Sequence, residues 1–457
     1  MKIGLFFEHQ LPRPWDDGAE ATVLANAVEQ CELADRIGIH TTWVVEHHFL
    51  EEYSHSSAPE VFLAAVSQRT TNLRLGHGIV QTPPGYNHPA RVAERIATLD
   101  LLSRGRVEFG TGESSSEAEL GGFGIDPAAK RTMWDEGTRV ALRCMTEAPF
   151  TGHAGEHVTM PPRNVVPKPW QKPHPPVWVA CTRRETIHLA AQRGIGALSF
   201  AFFDPEEAQQ WVGDYYATLE TEGVPIGDAV NANLACVTTF MCHPSEQKAI
   251  ARGAEGTNFF GYSLAHYYVF GRHRPGVTDV WAEYQQMRTE AGYDPAALGA
   301  TERLTAKGSS DDGAGLRGAV GTPAQIRDYL RRYEEFGVDQ VILASQTGKN
   351  RHEHVMESLE LFGRDVLPEF LERDERQSAE KARRLEPVLE KVLARKPASD
   401  HPPLPDPDYD FPAIPRSMAD REGADGFHAW LDDYARKAAS GEDVSRRLSK
   451  PRRTDMP

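Results

Sequence analysis

Eight short β-rich runs punctuate the first three-quarters of the chain: IGLFFE (3–8), TTWVVEHH (41–48), LRLGHGIV (73–80), GRVEFGTG (105–112), PVWVACT (176–182), ALSFAF (197–202), ACVTTFMC (235–242) and VDQVILAS (338–345). Most are continuous apolar stretches rather than alternations, the pattern of parallel strands covered on both faces. Helical patterns lie between them. After the first run, Val23, Leu24, Ala27, Val28, Cys31, Leu33 and Ala34 share one broad stripe, and residues 58–70, 90–102, 185–192, 205–219 and 324–336 behave similarly. Ser57-Ala58-Pro59-Glu60 and Gly321-Thr322-Pro323 mark helix starts, while Gly38, Gly105, Gly194 and Gly337 mark stops. Strand then helix, repeated eight times, predicts an α/β chain folded as a (β/α)8 TIM barrel.

Such a barrel commonly needs about 250 residues, and this chain has 457. The excess is expected in three places. Insertions follow the fourth run, as GESSSEAELGGFGIDP, and the seventh, where NFFGYSLAHYYVFGRHRPGV precedes the Gly/Ser/Asp-rich KGSSDDGAGLRG (307–318). The barrel is predicted over 1–370, and 371–457 as a charged helix with a proline-rich, partly disordered extension.

A formal charge of −16 disfavours nucleic acid as a partner. No apolar run approaches membrane-spanning length and the N-terminal apolar stretch is too short for a signal-peptide core, so a soluble, cytoplasmic protein is expected. Five scattered cysteines without a CxxC pair read as reduced thiols in or near the core.

In a barrel of this kind catalytic groups sit at the C-terminal ends of the strands. Run two ends in VVEHHFLEEYSHSS, bringing Glu46, His47 and His48 there, with two further glutamates close behind. Side chains alternate along a strand, so His47 faces away from Glu46 and His48. The histidines diverge and no HExxH helix is present, which argues against a metal; acid/base work and simple hydrogen bonding at a strand end both remain open.

Three other strand ends stand out. Gly76-His77-Gly78 in run three permits close approach of another backbone or a planar ligand. Run four continues into Gly110-Thr111-Gly112-Glu113-Ser114, which lacks the Gly-Lys-Ser/Thr of a P-loop and the third glycine of a dinucleotide fingerprint. Run five leads into Thr182, Arg183, Arg184 and Thr186 on the first turn of a helix, whose positive end disfavours basic residues unless an anion is bound; a phosphate site is expected. Aromatic residues of the second insertion, Phe259, Phe260, Tyr262, Tyr267, Tyr268 and Phe270, could form an apolar substrate pocket with Phe6 or simply core.

Taken in order, Lys2-Ile3-Gly4-Leu5-Phe6, Glu46-His47-His48-Phe49, Ser67-Gln68-Arg69-Thr70 before Leu73-Arg74-Leu75-Gly76, His88-Pro89 with Glu94, Leu99 to Arg106 with Phe109-Gly110, and Ala190 to Gly194 resemble the bacterial luciferase-like flavin-dependent monooxygenases over about residues 1–370. The resemblance implies reduced FMN at the barrel mouth, with its phosphate near Arg183 and Thr186 and with His47 as the acid/base histidine beside the ring, Glu46 and His48 close by. It also implies a non-proline cis peptide around Gly78-Ile79 beneath that ring. Where luciferases carry a cysteine and an arginine after strand four, this chain has Gly112 and Glu113. The reactive thiol is missing, and Arg183 stands where it can replace the lost charge. The implied activity is oxidation of a small organic substrate by dioxygen, with light emission from a long-chain aldehyde disfavoured. With no separate NAD(P)H-binding fingerprint, a partner flavin reductase is expected, and the family suggests a homodimer. Rival readings are a deazaflavin-dependent dehydrogenase or reductase on the same barrel and a non-catalytic flavin-binding protein.

Overall fold

Eight parallel strands close into a barrel in a computed structural model of the chain, which describes residues 1–200, 205–292 and 318–397 and short stretches between 403 and 441. The strands are β1 (Lys2–Phe7), β2 (Thr41–Val44), β3 (Arg74–His77), β4 (Val107–Gly112), β5 (Val177–Cys181), β6 (Gly196–Ser199), β7 (Leu234–Cys242) and β8 (Gln340–Ala344). Closure comes from β8 pairing with both β1, through Lys2↔Gln340, and β7, through Ala235↔Gln340. A further strand, Gly318–Gly321, extends the outer half of β7. The end of the sixth predicted run and residues 307–317 of the Gly/Ser/Asp segment lie outside the described residues.

Helices wrap the barrel in chain order: α1 (Ala19–Ile37), α2 (Pro59–Arg69), α3 (Pro89–Ser103), α4 (Glu117–Phe123), α5 (Lys130–Thr146), α6 (Arg184–Gln192), α7 (Pro205–Glu222), α8 (Glu246–Ala265), α9 (Val280–Ala291), α10 (Pro323–Glu335), α11 (His352–Asp365) and α12 (Leu367–Ala394). Their limits follow local chemistry. Gly38 takes the left-handed conformation, φ 92°, that stops α1, and Thr322 with Gln325 forms a reciprocal capping box at the start of α10. The aromatic segment expected to be an insertion after the seventh strand is instead largely α8, which packs on β7 as a regular barrel helix and then loosens into a π-helical turn, His266–Phe270.

Strand three is broken. After His77 the ladder to β4 lapses and resumes at Val80–Gln81, where Val80 pairs with Thr111. The expected cis bond at Gly78-Ile79 is absent: the four cis peptides among the described residues all precede proline. A trans bond there avoids a cost of a few kcal/mol. The glycines around the break answer to packing. A Cβ on Gly110 would lie 1.9 Å from the His77 carbonyl oxygen, and one on Gly112 would lie 2.5 Å from Ile79 Cδ1. The planar group that approaches Gly76 is the Trp43 indole, 2.4 Å from where a Cβ would stand.

Inside the barrel Trp43 and Trp178 meet edge to face at 5.3 Å. Beneath them a polar layer is fully paired. Glu108 accepts from Trp178 Nε1 at 2.7 Å and Arg74 Nε at 2.5 Å, and Gln340 accepts from Trp43 Nε1 at 3.2 Å. α12 runs continuously across residue 370, burying Phe370, Leu385 and Val392, and its Lys381 bridges Asp339 at 2.7 Å and Asn233 at 2.5 Å. Met1–His401 forms one compact unit and Pro402–Pro457 another. The five cysteines are all free and buried. No helix among the described residues is long and apolar enough to cross a membrane.

Candidate active site

The quoted stretch after β2 divides as strand alternation requires. Glu46 and His48 turn to one side, where Glu46 accepts from the Gln81 backbone N–H (2.7 Å), Asn87 Nδ2 (2.9 Å) and His48 Nε2 (3.1 Å), tying β2 to the chain after the break in strand three. His47 turns to the other. Its Nδ1 lies 3.1 Å from Oε1 of Glu119, a fully buried carboxylate from α4. The same oxygen accepts from the His48 N–H at 3.0 Å, and Ser114 donates to the second oxygen. Across the imidazole, Nε2 stands 3.7 Å from Glu8 Oε2 at the end of β1.

These neighbours set the charge on His47. Burial opposes protonation, but the carboxylates of Glu119 and then Glu8 outweigh it and push the pKa up to about 9. His47 is therefore an imidazolium at neutral pH, not the near-neutral base that its type alone suggests. The two acids diverge: burial raises the Glu8 pKa, while for Glu119 the cost of burial is overcome by the His47 charge and its hydrogen-bond donors, which hold it down. Aromatic rings wall the group. Tyr53 lies 5.7 Å and Tyr268 6.4 Å from the His47 ring, and Phe260 packs 5.7 Å from Tyr53.

The glutamates that follow serve structure. Glu52 is fully buried and accepts from the backbone N–H groups of Arg13, Val280 and Trp281, so it caps α9 from the β2 loop. Glu51 accepts from Gly276 N–H at 2.7 Å and pairs with Arg13 at 2.6 Å. Together they clamp the segment carrying α9 beside the mouth.

At the ends of β4 and β5 lies a second charged group. Glu113 pairs with Arg131 at 2.8 Å and lies 3.7 Å from Lys130, both at the start of α5, while Lys130 Nζ also donates to the Ser114 carbonyl at 2.5 Å. Arg183, the N-cap of α6, interacts electrostatically with Lys130 and has no ion-pair or hydrogen-bond partner for its guanidinium among the described residues. Lys130 and Arg131 thus share one carboxylate while Arg183 adds a third positive charge near Lys130, an arrangement suited to an added anion.

The sequence pattern of the luciferase-like monooxygenases matches residues 1–340. The chain belongs to that family. It is an oxidoreductase of the luciferase-like, flavin-dependent monooxygenase type. The oxygenase component of the flavin-dependent trigonelline monooxygenase of Acinetobacter baylyi is 25% identical over 382 residues, 81% of this chain and 96% of that one. Among solved structures, the oxygenating constituent of 3,6-diketocamphane monooxygenase from Pseudomonas putida, in complex with FMN, superposes with a TM-score of 0.60 at 20% identity, covering 80% of this chain and 98% of that one. A coenzyme F420-dependent tetrahydromethanopterin reductase from Methanopyrus kandleri reaches 0.55 at 19% identity, covering 81% and 99%.

Within the luciferase-like frame the residues singled out from sequence separate. Phe6, Ile79 and Phe260 join the cluster inside the barrel mouth, with Tyr267 packed against it, and Gly78 adjoins Phe6 and Trp43. Tyr262 does not join them. It packs instead with Phe259, Trp281 and Tyr284, because on α8 it shares a face with Phe259 and not with Phe260. Arg184 is already engaged, its Nε 2.7 Å from Asp214 on α7, while Thr182 is exposed and Thr186 half-buried on the first turn of α6. Glu8, Glu119, Tyr53, Lys130 and Arg131 were not singled out. Ser116-Glu117-Ala118-Glu119 has the spacing of a capping box, but Ser116 makes no side-chain cap and Glu119 reaches His47 instead.

Proposed function

We propose that the protein is the oxygenase component of a two-component monooxygenase that takes reduced FMN from a separate flavin reductase and uses dioxygen to oxidise a small organic substrate. The observation that carries this reading is His47, its pKa raised by neighbouring carboxylates and its Nδ1 fixed by Glu119, at an aromatic-walled barrel mouth beside a cationic cluster with an unmatched arginine. The residues present fit such a cofactor. Arg183, Lys130 and Arg131, with the Thr182 and Thr186 hydroxyls, would hold the phosphate, and Glu113 would serve as their counter-ion. Gln81 Oε1, Ser345 Oγ and Gln346 Oε1, buried at strand ends without hydrogen-bond partners among the described residues, suit the polar edge of a heterocycle. Gly78 and Ile79 would flank its face.

When bound, the reduced flavin supplies the electrons that activate dioxygen. The chain's own residues do the rest. His47 donates a proton from Nε2 while Glu119 keeps Nδ1 occupied and the ring aimed. Phe6, Phe260, Tyr267 and Tyr268 keep water from the reacting atoms. The trigonelline relative is itself named as an oxygenase component, which supports a separate reductase.

Anaerobic titration with reduced FMN and, separately, reduced deazaflavin, followed by mixing with oxygenated buffer, tests this reading. Tight FMN binding followed by oxygen consumption is the expected result. Selective deazaflavin binding without oxygen uptake would make the protein a hydride-transfer dehydrogenase.

A further inference from the structure

Glu8, the residue after β1, carries two unlike carboxylate oxygens. Oε1 accepts from the Tyr53 hydroxyl at 2.8 Å, and the Glu8 carbonyl is fixed by Ser54 Oγ at 2.8 Å, so the side chain is held in place. Oε2 has no hydrogen-bond partner although the residue is only 3% exposed. His47 Nε2 stands 3.7 Å from it and likewise has no hydrogen-bond partner among the described residues. That separation is too long for a hydrogen bond and short enough for one further oxygen, about 2.8 Å from each, to bridge them.

Charge decides what kind of oxygen. His47 and Glu119 already form a neutral pair, so a carboxylate on Glu8 would leave the buried trio with one net negative charge, which is costly. Burial drives Glu8 toward its neutral form while Glu119 stays ionised. Two carboxyls pushed apart in this way take different roles. With Tyr53 donating to Oε1, the oxygen left to carry a proton on neutral Glu8 is Oε2, the one that faces the gap.

We propose that Glu8 Oε2 and His47 Nε2 form a two-donor subsite that binds an acceptor oxygen of the substrate, a carbonyl or a phenolate, carried on a body that packs against Tyr53 and Tyr268. Glu8 is thereby a second proton-donating group of the mouth. The proposal rests on the oxygenase reading of this site, and its test is independent of flavin and oxygen.

Infrared difference spectra of the full chain at neutral pH, wild type against Glu8→Gln, test it directly. The wild type should show the carbonyl stretch of a buried neutral carboxylic acid, and Glu8→Gln should lose it. Adding acetophenone, as a carbonyl probe, or 4-nitrophenol, as a phenolate probe, should shift that band, and the probe that does so identifies the class. Tyr53→Phe, which removes the donor to Oε1, should raise the band's frequency without abolishing it and serves as the deciding variant if Glu8→Gln fails to fold. A wild type without the band, a band untouched by Tyr53→Phe or retained in Glu8→Gln, or no shift with either probe overturns the subsite. A protein that shows the band and its shifts but never consumes oxygen overturns the oxygenase reading and keeps the subsite.

Discussion

At the lower end of the barrel Glu108 engages both carboxylate oxygens, with Arg74 and Trp178, whereas at the upper end Glu8 engages one with Tyr53 and keeps the other buried without a hydrogen bond. Both are glutamates at barrel strands beside aromatic rings. The lower one is finished by its own fold; the upper one is finished only when something else arrives. Buried polar groups in folded proteins are nearly always paired, so the unpaired atoms Glu8 Oε2, Gln81 Oε1, Ser345 Oγ and Gln346 Oε1 at strand C-termini mark where the fold has kept capacity for a ligand. The contrast separates stability from function within one barrel, as expected for its bottom and top faces.

The contrast is broken most directly by removing one group from each end. His47→Ala should lower coupled substrate oxidation on the order of 10²- to 10⁴-fold, the usual worth of a positioned acid, while flavin binding persists and consumed oxygen appears as hydrogen peroxide. Unchanged coupled turnover would remove His47 from the reaction. Glu108→Ala at the other end should cost roughly 3 kcal/mol of stability in urea unfolding, because Arg74 is left with an uncompensated charge, yet leave turnover per folded molecule intact. If turnover falls with it, the two ends are not separable.

The barrel was legible because continuous apolar runs leave few alternatives to buried parallel strands: each run contains a barrel strand, although the second leaves its strand after Val44, the third is split at Gly78-Ile79 and the end of the sixth lies outside the described residues. The split was not legible, since it depends on Gly110 and Gly112 being crossed by strand three, a contact between segments some 30 residues apart in sequence. His47 was visible from its strand-end position. Its partners were not: Glu119 comes from a short helix 72 residues away in sequence, and no local pattern ties that helix to the end of strand two. Nor could sequence say which of two adjacent arginines is taken by Asp214.

The phosphate side of the mouth sharpens the comparison at smaller scale. Arg183→Ala should weaken reduced FMN about tenfold, the loss of one charge-assisted hydrogen bond, and leave riboflavin, which lacks the phosphate, unchanged. Arg184→Ala should change neither, because its guanidinium already has a carboxylate. Equal effects from both would show that the anion site does not distinguish the paired arginine from the unpaired one.

The finest distinction is between the two acids around His47, and pH separates them. The His47 pKa in the folded chain, about 9, lies above its ordinary 6.5, so the stability it contributes is fully present below pH 6.5 and is lost as pH rises through about 9. Glu119 is shifted the other way, and its contribution is present above the ordinary carboxylate range and lost as pH falls. Proton donation by His47 predicts activity that also declines through about pH 9. In Glu119→Gln the larger of the two favourable charges is gone, so the imidazole resonances followed by NMR and the alkaline limb of the activity profile should both move down by about one pH unit, equivalent to roughly 1.4 kcal/mol of lost charge stabilisation. Glu8→Gln should move them less, because the Glu8 charge acts on His47 more weakly than that of Glu119 and burial draws Glu8 toward its neutral form. A larger shift from Glu8→Gln than from Glu119→Gln would mean that Glu8 is ionised and that the incomplete end of the barrel waits for a hydrogen-bond donor, not an acceptor.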